Sequence, residues 1–234
     1  MIELKSVELV RPDFFLWADF ALAAGQVCAV LGPSGAGKTT LLNMIAGFEP
    51  LIRGEIIIDG QNVAAASPAQ RPISMVFQDH NVFSHLDLWS NVALGAKPNL
   101  KLNGEDRARV DAALARVGLS DLARRKPFEV SGGERQRVAL ARVLVRNSKI
   151  LLLDEPFAAL DPGLRHDMLS EVSAIAHERK LTVLMVTHQP EEVHHAVDAI
   201  VFIDQGQARA PMSVQAFFAS ADPAIVKYRG PAAR

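Results

Sequence analysis

Residues Gly32, Pro33, Ser34, Gly35, Ala36, Gly37, Lys38, Thr39 and Thr40 spell GPSGAGKTT. The run fits the pattern GxxxxGK[ST], between a short apolar stretch, Val27–Leu31, and a stretch of helical periodicity. Glycines at that spacing let successive backbone N–H groups turn inward on phosphate oxygens, and the following helix adds its positive N-terminal end. Lys38 is placed to reach β- and γ-phosphates, and the Thr39 hydroxyl to ligate Mg²⁺. Far downstream, Ile150–Leu153 reads as a buried strand that delivers Asp154 and Glu155 at its end. Carboxylates at the C-terminal end of a parallel strand lie where open α/β sheets bind ligands. Asp154 is expected to hold Mg²⁺ through its water shell, and Glu155 to polarise an attacking water as general base. Taken alone, the pair also reads as two solvated carboxylates.

Two more groups belong to the same chemistry. The strand Thr182–Thr187 leads directly into His188, which leaves from the same sheet edge. A neutral imidazole there can hydrogen-bond the γ-phosphate and the water. Ser131, Gly132, Gly133 and Glu134 precede a helix carrying Arg135, Arg137, Arg142 and Arg146. That start is either a second anion-binding nest or a capped helix terminus with Glu134 near its positive end. As a nest it has no lysine and no carboxylates of its own, so the chain would hold one complete phosphate site and one half.

Positioning these groups requires strands and helices in alternation. Ile2–Val10, Phe14–Leu22, Glu55–Ile58, Ile73–Gln78 and Ala199–Asp204 read as further strands. Leu41, Leu42, Ile45 and Ala46 mark a helix stopped by Gly47, and Val110, Ala113, Leu114 and Val117 one stopped by Gly118. Met168, Val172 and Ile175 mark another. Alternation at both ends of the chain predicts an α/β fold with a mainly parallel sheet covered by helices. The helical stretch between Leu86 and Pro127 is the candidate subdomain.

Composition removes several classes. With 25 Lys+Arg against 26 Asp+Glu in 234 residues, there is no basic excess to argue for nucleic acid. Cys28 is the single cysteine, which excludes an internal disulfide and a Cys-based zinc cluster. No run approaches the roughly 18–20 apolar residues of a membrane span, and Met1–Val10 lacks the pattern of a signal peptide. Work at a membrane would require a docking partner.

GPSGAGKTT, then Gln78 at a strand end, VSGGERQRVALAR at Val130–Arg142, LLLDEP at Leu151–Pro156, ALD at Ala159–Asp161 and His188 follow in a specific order. In that order they resemble the ATP-binding subunits of ABC transporters over nearly the whole chain. The resemblance implies a P-loop NTPase cassette as one domain over 1–234. Its core sheet is mainly parallel, with an N-terminal antiparallel β part, a helical subdomain near 86–147 and no C-terminal regulatory domain. It implies ATP and Mg²⁺, and two copies head to tail. Each ATP then lies between one copy's phosphate loop and the other's Ser131 and Gly133. Gln78 would sense Mg²⁺ and the γ-phosphate, and Asp161 would sit at the dimer interface near the partner's phosphate loop. An integral membrane permease and, indirectly, a periplasmic solute-binding protein are the implied partners, on the cytoplasmic face of the bacterial inner membrane.

Two departures stand out. The usual LSGGQ reads Val130-Ser-Gly-Gly-Glu134, which keeps acceptor capacity but adds a negative charge. The usual adenine-stacking tyrosine is replaced near Arg11 and Pro12, leaving Phe14, Phe15 and Trp17 as candidates or as core. Val82, Phe83, Leu86, Leu88 and Trp89, within Asp79–Gly95, read as a docking groove for a channel helix or as subdomain core. Arg71–Gln78, Asn81–Leu86, Pro98–Asn103 and Leu42–Phe48 resemble the thiamine-import branch of the family; iron, molybdate or a polyamine are the alternative cargoes. A nonhydrolytic ATP-gated clamp would have no use for Glu155. A soluble cassette acting on ribosomes or DNA usually carries paired cassettes or long coiled-coil insertions, and neither is present. A small-molecule P-loop kinase would have no use for Ser131–Glu134.

Overall fold

A computed structural model describes residues 1–77, 82–146, 148–158 and 160–230. The strands are β1 (Ile2–Arg11), β2 (Phe14–Leu22), β3 (Val27–Leu31), β4 (Arg53–Ile58), β5 (Gln61–Asn62), β6 (Ile73–Val76), β7 (Ile150–Asp154), β8 (Thr182–Val186), β9 (Ala199–Asp204) and β10 (Gln207–Ala208). The α-helices are α1 (Lys38–Ala46), α2 (Leu88–Ala96), α3 (Gly104–Arg116), α4 (Gly132–Val145), α5 (Pro162–Arg179), α6 (Val214–Ala219) and α7 (Pro223–Arg229). The chain divides into two compact units. The first comprises Met1–Ile73, Lys149–Asp154 and Leu169–Arg234; the second comprises Ser74–Ser148 and Glu155–Met168.

In the first unit the strands run in the order β5-β4-β1-β2-β10-β9-β3-β8-β7. β1 pairs antiparallel with β2 and β4, whereas β3, β7, β8 and β9 are joined in parallel. The sequence explains the division. β2 alternates buried and more exposed positions, as a strand with one wet face does. Every residue of β3, β7 and β8 is buried, as expected of central strands covered on both sides. Register then sets the functional edge: Val186 of β8 stands beside Val30 of β3 and beside Asp154 of β7. The C-terminal ends of all three strands therefore lie together.

The segment after β9, unassigned from its sequence, packs as a cover. Phe217 and Ile225, from α6 and α7, join Ala29, Leu31, Ile200 and Phe202 in one buried cluster. Burying a side chain such as Phe217 contributes about 1.5–3 kcal/mol. Asp222 caps α7 by accepting from Ala224 and Ile225 N–H, and it pairs with Arg209 at 2.7 Å.

The second unit is mainly helical. Asn91, fully buried in α2, uses its whole amide. Its Nδ2 donates to the Phe83, Leu86 and Asp87 carbonyls, and its Oδ1 accepts from Phe83 N–H and from the Arg142 guanidinium of α4. This satisfied network ties α2 to α4 and fixes the turn carrying Phe83. Leu88 and Val92 are wholly buried, so Leu88 belongs to the core of this unit and not to a docking surface. Its neighbour Trp89 is half-buried and donates from Nε1 to Asp111 at 2.7 Å. Phe83 remains exposed.

Candidate active site

The phosphate loop joins β3 to α1 and is pressed tightly on its surroundings. Gly32 has φ 153°, and a Cβ there would come within 2.1 Å of the Ile203 carbonyl oxygen. Gly37, the residue before α1, has φ 108°, and a Cβ would meet the tip of the Phe14 ring at 2.9 Å. Both positions exclude side chains, one by a backbone oxygen and the other by backbone conformation and an aromatic lid. Lys38 is 5% exposed, and its Nζ donates to the Gly32 and Pro33 carbonyls at 2.8 Å each. The ammonium thus spans the loop from within, where a phosphate can replace the carbonyl contacts.

Thr39 Oγ1 donates to Asp154 Oδ1 at 3.1 Å, and Asp154 is 3% exposed at the end of β7. A hydroxyl oxygen beside a buried carboxylate oxygen, next to a phosphate cradle, is a donor set that suits Mg²⁺. Among the described residues no group of three or more His, Cys, Asp or Glu side chains forms a protein-only metal cage. His188 is exposed two residues beyond β8, at the same edge as Asp154. Thr187 Oγ1 accepts from Gln189 N–H and shapes the turn that carries it. The first unit therefore gathers Gly32–Thr40, Asp154 and His188.

The second unit carries the remaining groups. Glu155 follows Asp154 directly and has φ 49°, a left-handed conformation uncommon outside glycine. Ser131 caps α4: its Oγ accepts from Glu134 N–H at 3.2 Å, while the Glu134 carboxylate accepts from Ser131 N–H at 2.6 Å. This reciprocal pair is a capping box. The Ser131 backbone N–H holds the Glu134 carboxyl below the usual carboxylate range, with a further contribution from the Ser131 side chain. The charge of Glu134 is therefore spent on its own helix start. Gly132 and Gly133 open the first turn of α4, where a helix has N–H groups without intrahelical partners, so capping by Ser131 and Glu134 is compatible with anion binding at the same terminus. Arg135 secures the approach to the turn by donating to the Pro127 and Val130 carbonyls.

Asp161 is exposed at the start of α5, and its carbonyl accepts from Arg165 N–H at 2.9 Å. Gln78 and the first residues of the docking segment, Asp79 to Asn81, lie outside the described residues, as does Ala159. Of the adenine candidates, Phe14 touches the phosphate loop, whereas Phe15 and Trp17 leave the other face of β2. Arg11 is paired with Glu49 at 2.5 Å.

The model of the ABC transporter family matches residues 17–158 of this sequence. The chain belongs to the ABC transporter family. It is 53% identical over 233 residues to the thiamine import ATP-binding protein ThiQ of Mesorhizobium japonicum, covering 99% of this chain and 92% of that one. ThiQ of a Ruegeria species is 45% identical over 98% of this chain and 100% of its own. Among solved structures, a dimeric ATP-binding cassette in a post-hydrolysis state with ADP and Pi bound superposes with a TM-score of 0.81. Its identity is 27%, over 92% of this chain and 99% of that one. A bacterial Atm1-family ABC exporter with ATP bound gives a TM-score of 0.81 at 30% identity, over 97% of this chain and 41% of the exporter. The cassette fold expected from the order of motifs is therefore the fold of this ABC protein. No helix among its described residues is long and apolar enough to cross a membrane.

Gln136 was not singled out by its sequence. It is a polar residue on the buried side of α4, 2% exposed, and its Nε2 donates to the Glu155 carbonyl at 3.5 Å. The signal was faint: one amide at a position where helical spacing calls for an apolar residue.

Proposed function

We propose that this ABC protein is the ATP-hydrolysing subunit of a bacterial thiamine importer. The observation that carries the reading is the Thr39–Asp154 contact beside a loop whose lysine is already turned inward. That arrangement supports triphosphate binding, and Glu155 on the next peptide supports hydrolysis. ATP lies with its phosphates on the N–H groups of Ser34–Thr40 and against Lys38, with its adenine toward Phe14. Thr39 and Asp154, with Gln78, would hold Mg²⁺, which would supply charge neutralisation at the β- and γ-phosphates. Glu155 accepts a proton from water as the water oxygen attacks the γ-phosphorus. The bond from that phosphorus to the bridging oxygen breaks, and ADP leaves with the bond's electron pair. His188 donates to the γ-phosphate and orients the water.

A second copy completes the site. Its Ser131 hydroxyl and its Gly132 and Gly133 N–H groups bind the γ-phosphate in trans, with Glu134 fixing Ser131 and Asp161 lying along the interface. ATP closes two copies on each other and hydrolysis parts them. The whole chain acts as one cassette with its helical subdomain near 86–147. The exposed Phe83 turn of that subdomain meets an integral membrane permease at the cytoplasmic face of the inner membrane. A periplasmic binding protein delivers the cargo and never touches this subunit. The likeness to ThiQ proteins supports thiamine as that cargo. In cells lacking this subunit, uptake of labelled thiamine at nanomolar concentration is expected to be lost and to return with the wild-type chain. Restored uptake of iron, molybdate or a polyamine, with thiamine uptake unaffected, would reassign the cargo.

A further inference from the structure

Gln136 is a costly residue in its position. The side chain is 2% exposed, its Oε1 is sealed from solvent with no hydrogen-bond partner among the described residues, and its Nε2 has the Glu155 carbonyl as acceptor. A buried amide with an unmet acceptor is destabilising, and an apolar side chain of similar size fills the same space without that deficit. What the amide adds is a directional hold on the peptide after Glu155. That hold acts on a strained place, since Glu155 has φ 49°, and strained backbone persists only where its surroundings over-determine it. Gln136 lies two residues past Glu134 on the helix that Ser131 caps. Both ends of the contact belong to the same compact unit.

We infer that Gln136 is a positioning residue that couples the Ser131 turn to Glu155 within one chain. The inference rests on the proposed sandwich, in which Ser131 grips the ATP of the partner copy and Glu155 serves the chain's own. A shift of α4 as Ser131 closes on one nucleotide is carried by the Gln136 amide to the peptide that aims Glu155 at the other. The two ATP sites then sense each other, and turnover rises cooperatively with ATP.

The test is steady-state ATP turnover of the full-length chain with Mg²⁺, for wild type, Gln136→Met and Gln136→Glu, with thermal unfolding of each. Gln136→Met retains the bulk and removes the donor. It is expected to lower kcat about ten- to hundredfold through misplacement of Glu155. Its ATP affinity should stay within about twofold, its Tm should not fall, and its Hill coefficient should drop from above one to one. In Gln136→Glu the buried carboxyl donates only while protonated, so its kcat should recover as pH falls, a trend absent from wild type. Gln136→Met with the wild-type kcat and Hill coefficient would overturn the inference. So would a kcat loss matched by a lower Tm with cooperativity intact, or a Gln136→Glu profile parallel to wild type. A wild-type Hill coefficient of one would instead strike at the sandwich itself.

Discussion

Changing Glu155 to glutamine is expected to lower ATP turnover by about 10²–10⁴-fold, the range in which a positioned general base acts. ATP binding should survive, because the cradle of N–H groups, Lys38 and the Thr39–Asp154 pair lie outside the exchange. The amide is nearly isosteric and cannot take the proton from water. The φ of 49° at position 155 burdens glutamine about as it burdens glutamate, so the loss is chemical rather than conformational. Single-turnover hydrolysis measured beside equilibrium ATP binding separates the two steps. Turnover equal to wild type would remove Glu155 from the base role and leave a protein that only binds nucleotide.

Changing Lys38 to alanine is expected to abolish ATP binding at millimolar nucleotide. Hydrogen bonds to charged groups are worth about 1.5–3 kcal/mol each. Two such bonds to the β- and γ-phosphates therefore correspond to roughly 10²–10⁴-fold in affinity. In the structure the same ammonium donates to the Gly32 and Pro33 carbonyls, so its loss also releases the loop it spans. Calorimetric titration with ATP and Mg²⁺ reads the affinity, and thermal unfolding without nucleotide reads the loosening. Lys38→Arg should keep the charge yet bind poorly, because a planar fork does not fit a cleft that holds a compact ammonium at 5% exposure. Affinity within threefold of wild type in Lys38→Ala would contradict the phosphate role.

Legibility in the sequence followed the range of the interactions. β2, β3 and β9 have the bounds their patterns suggest, since alternation and short apolar runs are local signals. α1 stops at Gly47, whose φ of 88° is the left-handed cap a glycine there implies. β8 ends at Val186, one residue short of Thr187, whose hydroxyl accepts from Gln189 N–H in the turn that follows. The C-terminal helices were not legible: α6 and α7 are short, and Phe217 and Ile225 acquire meaning only against Phe202 and Leu31. For Leu88 the sequence left docking groove and subdomain core both open, because nothing near it in sequence reveals that α2 is packed through it.

The candidate site divides in the same way. Gly32–Thr40, Asp154 and Glu155 stand in contiguous motifs. The meeting of Thr39 with Asp154 depends on parallel pairing of β7, β8 and β3, which the alternation of elements already implied. At Ser131 the local sequence allowed a cap or a nest. The side chains make the cap, and anion binding there belongs to the proposed sandwich. Gln136 could not be weighed without its depth, because an amide in a helix is ordinary until it is 2% exposed beside Glu155.

The central claim is that ATP is enclosed by two copies of this chain, and sedimentation of Glu155→Gln measures it most directly. With saturating ATP and Mg²⁺ that variant should run as a dimer, and as a monomer with ADP; adding Ser131→Arg should return it to monomer while ATP stays bound. A nucleotide-loaded Glu155→Gln protein that remains monomeric, or a Ser131→Arg form that dimerises equally well, would contradict the account.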